Sequence, residues 1–209
     1  MKRMLWMVLL ALALPMAAFA NSGGVDFTNS GGTLSGSSDG LTLSGSVLIA
    51  VNGLNGLGLV TGNNLGSISF TTGALLSGDL QNGGVFGPAD STLGGSFMIM
   101  GNGTGGLPNG MIFNGTFHGP VTWTLVTLAN GTHNYTLSGD VTGTWYNGST
   151  VFGATIQLTI NTGKGFFNGT TTISSGDTNI GTVPEPSSLT LLGTGLVGLA
   201  GILRRKLKA

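Results

Sequence analysis

The chain has 209 residues, of which 40 are glycine and only 7% are charged, against about 7% glycine and 25% charge in an ordinary protein. Lys2 and Arg3 stand at one end and Arg204, Arg205, Lys206 and Lys208 at the other, leaving Lys164 alone between them with Asp26, Asp39, Asp79, Asp90, Asp140 and Asp177, a net charge of −5. This balance excludes most nucleic-acid binding, which needs several Lys or Arg to displace counterions, and glycine without a three-residue period excludes collagen.

The first predicted element is an export signal. Lys2 and Arg3 precede Leu5–Leu14, an apolar run of ten residues; Pro15 breaks it, and Ala18-Phe19-Ala20 places small side chains before a cleavage site. This is the pattern of a secretory signal peptide over residues 1–20, cut after Ala20. A membrane anchor needs about 20 apolar residues, and this run is too short. No cysteine occurs, so the exported chain must fold without the disulfides that export would permit.

Residues 21–176 read as one Gly/Thr/Asn-rich all-β domain. No apolar period of 3.6 residues is sustained, whereas alternation is frequent. Leu41, Leu43, Gly45, Val47, Ile49 and Val51 share one predicted face, and Val121, Trp123 and Leu125 another. Tyr135, Leu137, Gly139, Val141, Gly143 and Trp145 face opposite Thr136, Ser138, Asp140, Thr142 and Thr144. In Phe152–Ile160 the even positions are apolar and the odd ones Gly, Thr or Gln. These are half-buried antiparallel strands, apolar inside and hydroxylated outside. Asn-Gly, a strong hairpin signal, marks turns at Asn52, Asn82, Asn109, Asn130 and Asn147; at Asn114 and Asn168 it falls inside alternating runs and suggests bulges. Leu-Ser-Gly recurs at Leu34, Leu43, Leu76 and Leu137 without a solenoid period, with its glycine expected on an inward face. The expected architecture is an antiparallel β-sandwich or strongly bent sheet of about ten to twelve strands. Residues 21–39 and 101–109 read as loops, and 177–182 as a linker.

Chemical motifs in this domain fail their context. Gly101-x-Gly103-x-x-Gly106 fits a dinucleotide fingerprint, but Pro108 and a strand follow where a helix is required. Gly36-Ser37-Ser38-Asp39-Gly40 fits a nucleophile elbow without its helix or a histidine partner. His118 and His133 are too few for zinc and read as surface residues. No calcium loop is present. Paired carboxylates for glycoside hydrolysis could meet only through the fold. With one Lys, no Arg and no Glu in 21–182, acid–base catalysis has few groups to use. The expectation is no enzyme, no cofactor and no metal.

The C-terminus has three parts: Val183-Pro184-Glu185-Pro186, the uncharged stretch Leu189–Leu203, and the basic tail Arg204-Arg205-Lys206. As a helix at about 1.5 Å per residue the stretch is roughly 22 Å long, short of the ~30 Å hydrocarbon core. The basic cluster should stay cytoplasmic, leaving the preceding chain outside. Motif, short apolar helix and basic cluster together resemble the PEP-CTERM sorting signal of Gram-negative bacteria, over about residues 183–209. The resemblance implies recognition by an exosortase-type membrane enzyme, transient anchoring in the bacterial membrane, and delivery to the cell surface or beyond. It also implies a producer of extracellular polysaccharide. The expected role is then structural or adhesive in a polysaccharide or biofilm matrix. Two alternatives stand beside it. The T-x-T pairs Thr122/Thr124 and Thr142/Thr144 suggest ice or another ordered surface, although a flat array would need a repeat that is absent. The tail could also simply be retained as an anchor.

Overall fold

Alternating side chains commit most of the chain to strands. The structure, a computed structural model, describes residues 24–87 and 95–181, apart from the side chains of 152–155. Thirteen strands occur among the described residues: β1 (Val25–Ser30), β2 (Thr33–Ser37), β3 (Gly40–Asn52), β4 (Leu59–Thr71), β5 (Leu75–Asp79), β6 (Gly83–Phe86), β7 (Ser96–Asn102), β8 (Asn109–Phe117), β9 (Val121–Thr127), β10 (His133–Trp145), β11 (Thr150–Asn161), β12 (Thr170–Thr172) and β13 (Gly176–Gly181). Their helical content is two short 3-10 turns, Leu54–Gly56 and Thr104–Gly106.

The expected bent sheet closes on itself. From β10 the hydrogen-bonded neighbours run β11, β13, β1, β3, β4, β7, β8 and back to β10, every pair antiparallel. Closure removes the unpaired edges that an open sheet would expose. Two long strands serve as branch points. β3 pairs with β2 through Gly40–Ser44 and then with β1 through Val47–Asn52. β10 pairs with β9 through His133–Ser138 and then with β8 through Val141–Trp145. Two flaps leave the ring there: β2 with β12, and β9 with β6 and β5.

The core fills the ring with aromatic rings. Trp145 lies between Phe27, 6.4 Å away, and Phe113, 4.9 Å away, and Phe97 links Phe113 to Phe70 and Phe117. A second cluster stacks Trp123 on Tyr135 at 4.7 Å, with Phe167 edge-on to both. Its polar tips are satisfied: Trp123 Nε1 donates to Leu80 O at 3.0 Å, and the Tyr135 hydroxyl donates to Gln81 O at 2.7 Å and accepts from Phe167 N at 3.0 Å. These bonds draw the β5–β6 turn down over the ring end. Room for Phe113 comes from the directly paired Gly143 and Gly115; a Cβ at Gly143 would lie 2.5 Å from the Phe113 ring. Asn114-Gly115 is therefore regular strand, and the bulge of β8 falls earlier, at Ile112, where Ile112 and Phe113 are both buried.

β9, β10 and the described half of β11 face as the alternation predicts. β3 does not. Gly45, at φ +68°, forms an exposed bulge, so Ser46 and Leu48 turn inward and Val47 and Ile49 turn away; a second register shift between Leu48 and Ala50 returns Val51 to the core. Two bulges reverse the parity twice. The Leu-Ser-Gly glycines likewise divide: Gly36 and Gly139 pack against aromatic side chains of the core, whereas Gly45 and Gly78 are exposed.

Two segments and one histidine correct the expectations. Residues 21–39, read as a loop, contain β1 and β2, in which Phe27, Asn29 and Leu34 are wholly buried. The supposed linker 177–182 contains β13, inserted between β11 and β1, with Thr178 and Ile180 buried and Asp177 and Asn179 exposed. Polar inward residues hid these strands. Asn29 Nδ2 donates to Ser46 Oγ at 2.6 Å inside the ring, while Asn29 Oδ1 and Thr178 Oγ1 have no hydrogen-bond partner among the described residues. His133, read as a surface residue, is buried; its Nδ1 lies 3.0 Å from Thr127 Oγ1 and its ring stacks on Phe166 at 4.1 Å.

Candidate functional site

Once apolar residues take the inside, strand alternation sends hydroxyls and amides outward, and antiparallel register aligns them across strands. One row crosses seven strands. Thr170 of β12 faces Ser35 of β2, which faces Thr42 of β3, which faces Thr71 of β4. Thr71 Oγ1 lies 3.0 Å from Ser96 Oγ of β7, and Ser96 faces Thr116 of β8, which faces Thr142 of β10. Every member carries a hydroxyl, one strand spacing of about 4.8 Å from the next. A second row on another wall reads Thr124, Thr136, Thr159, Asp177 and Thr28 across β9, β10, β11, β13 and β1.

Each row passes a cleft. The first, about 270 Å³, lies where the β2–β3 hairpin meets β12; Ser35, Ser37, Asp39, Thr42, Thr72 and Thr170 line it. The second, about 220 Å³, is lined by Thr28, Asn134, Thr159, Asn161, Ser175 and Asp177. In the second the polar groups satisfy one another: Thr28 donates to Asp177 at 3.2 Å, Asn161 Nδ2 donates to Asn134 Oδ1 at 2.7 Å, and Asn161 Oδ1 accepts from Gly163 N at 2.9 Å. In the first, among the described residues, the Asp39 carboxylate and the hydroxyls of Ser35, Thr42 and Thr170 have no protein partner, whereas Thr72 Oγ1 accepts from Leu41 N and donates to Gly73 O.

The fold also brings together carboxylates that lie far apart in sequence. Asp26 pairs with Asn179, beside Asp177 on the neighbouring strand. Burial, and then the Asp177 charge, push the Asp26 carboxyl above its ordinary 3.8, against a backbone hydrogen bond at Phe27. Asp79 goes the other way: hydrogen bonds from the Asn82 side chain, then from the backbones of Asn82 and Gln81, hold it below the usual range and fix the β5–β6 turn. Among the described residues no three or more His, Cys, Asp or Glu are placed to hold a metal ion. The elbow-like Gly36–Gly40 is the β2–β3 hairpin, and Gly103 caps and Gly106 ends a 3-10 turn that leads into strand β8.

The sorting residues named from the sequence, Val183, Pro184, Glu185, Pro186, Arg204, Arg205 and Lys206, lie outside the described residues, as do Ala18, Ala20 and the apolar stretch Leu189–Leu203. Among the described residues no helix is long and apolar enough to cross a membrane. The C-terminal region identifies itself by similarity to a family. Residues 182–206 match the PEP-CTERM protein-sorting motif. The chain thus carries the signal of an exported protein that an exosortase-type enzyme sorts at the membrane. No curated protein and no solved structure matches the chain. The outer hydroxyl rows were only partly visible beforehand. T-x-T pairs marked Thr122/Thr124 and Thr142/Thr144, but which residues stand side by side depends on register between strands as distant as β12 and β2.

Proposed function

We propose that the exported β-domain is a structural or adhesive component of the cell surface or of an extracellular polysaccharide matrix, without catalytic activity. One observation carries the reading. A ring sealed by its own core presents rows of hydroxyls and amides outward, on a chain already marked for export by its sorting motif. Hydroxyls donate and accept at once, which suits a partner rich in hydroxyls itself. Each of these two clefts is lined by a single carboxylate, Asp39 in one and Asp177 in the other, whereas glycoside hydrolysis uses a pair across the bond it cuts.

Binding to ice or another ordered surface is less favoured. The longest row crosses seven strands of a strongly curved sheet, so only a few neighbouring hydroxyls share a plane. A flexible polymer can follow that curvature, and a crystal face cannot. Fractionation of the native bacterium tests the matrix reading: the mature domain should be recovered with the cell surface or the extracellular polysaccharide. Recovery confined to the periplasm or the inner membrane would overturn it.

A further inference from the structure

We propose that the cleft between the β2–β3 hairpin and β12 binds a residue of a neutral glycan, and that the hydroxyl row leaving the cleft receives its neighbours along the polymer. The inference rests on the matrix reading and narrows it to one wall and one chemical class. The size fits: about 270 Å³ lies just below the range of about 300–1,000 Å³ of pockets that enclose drug-sized ligands. It suits one sugar ring, with the rest of the chain lying outside.

The chemistry fits as well. The Asp39 carboxylate is an acceptor for sugar hydroxyls, and a hydrogen bond to an ionised acceptor is roughly twice as strong as a neutral one. Ser35, Thr42 and Thr170 supply free hydroxyls around it. Ser37 Oγ accepts from Asp39 N at 3.0 Å and so fixes the turn that presents the carboxylate. Gly36, Gly40 and Gly169 leave the floor to the backbone. Among the described residues no Lys or Arg lines the cleft, so a uronate, sulfate or phosphate would meet Asp39 with no counter-charge from them. This rules against an acidic glycan, and a neutral one asks only for the hydrogen bonds that these groups supply. Ser35, Thr42 and Thr170 are also the first three members of the seven-strand row, so the cleft opens directly onto a track of further hydroxyls. Weak contacts repeated along one polymer add through effective concentration.

Affinity electrophoresis of the full chain, through gels containing dextran, a β-glucan, galactomannan or polygalacturonate, tests this. Retardation is expected in at least one neutral gel and not in polygalacturonate. The Ser35→Ala/Thr42→Val double variant and Asp39→Asn should each weaken it about tenfold, a loss of about 1.4 kcal/mol. Thr150→Val, an exposed hydroxyl outside both rows and both clefts, should leave it unchanged, with all variants melting as the wild type does. Retardation that ignores the cleft variants overturns the site and leaves the matrix reading intact. Retardation in polygalacturonate alone overturns the neutral class. No retardation in any gel, by a protein that fractionates with the matrix, overturns the glycan proposal alone. Absence from the matrix fraction overturns the reading beneath it.

Discussion

Trp145 and Thr144 are neighbours in β10 with opposite surroundings. Trp145 packs between Phe27 and Phe113, while Thr144 points outward beside Asn114 and Thr150. Truncating a core aromatic costs about 3–5 kcal/mol, a large share of a typical total of about 5–15; Trp145, only partly buried, belongs at the low end. Trp145→Ala should therefore lower stability by about 3 kcal/mol, and Thr144→Ala by less than about 0.5. Thermal melts followed by circular dichroism compare them, and equal losses would contradict the inside–outside assignment of β10. Asp26 makes a prediction of the opposite sign. Its raised pKa means that the folded state holds the proton more tightly than the unfolded one, so stability falls as pH rises from the ordinary 3.8 through the folded value. Asp26→Asn should melt higher than the wild type at neutral pH, with the gap closing as pH drops below that window. A gap that does not change with pH would remove the electrostatic cause.

At the scale of the element, legibility follows from whether inward residues are apolar. β9 and β10 were readable because Trp123, Tyr135, Leu137 and Val141 alternate strictly with Thr, Ser and Asp. β1 and β13 were not, because Asn29, Gly176 and Thr178 occupy inward positions. β3 was read correctly as a strand and, at Leu41, Leu43 and Val51, as to its face, but wrongly between its two bulges, at Gly45, Val47 and Ile49. A Gly in φ > 0 has no signature distinct from any other Gly, and one extra residue reverses every side chain after it. The first cleft was equally hidden, since Thr170 meets Ser35 across 135 positions of sequence. β13 yields the decisive test. It joins β11 to β1 on both of its edges, so ending the chain after Ser175 should open the ring and abolish cooperative melting. Ending it after Thr182 should leave the β spectrum and the melt intact. If both truncations melt alike, residues 177–182 are the linker read from the sequence.

For the whole molecule, the sealed barrel and the sorting motif make separable demands. The barrel needs nothing from residues 183–209 to complete its ring, because closure is achieved by Gly181 at the latest. If Pro184-Glu185-Pro186 is read by the processing enzyme, Glu185→Ala should trap unprocessed protein in the membrane fraction while its β-domain, whose ring closes before residue 182, melts as the wild type does. The mature wild type should begin at Asn21 and lack Arg204–Ala209 in intact-mass analysis. The alternative of a retained anchor predicts the reverse on both counts. The basic tail would persist in the mature mass, and Glu185→Ala would not change where the protein is found, because a run of apolar residues holds a membrane by its length and hydrophobicity and is indifferent to one carboxylate before it. Fractionation of variant and wild type, with intact masses of each fraction, separates a cleaved signal from a permanent anchor.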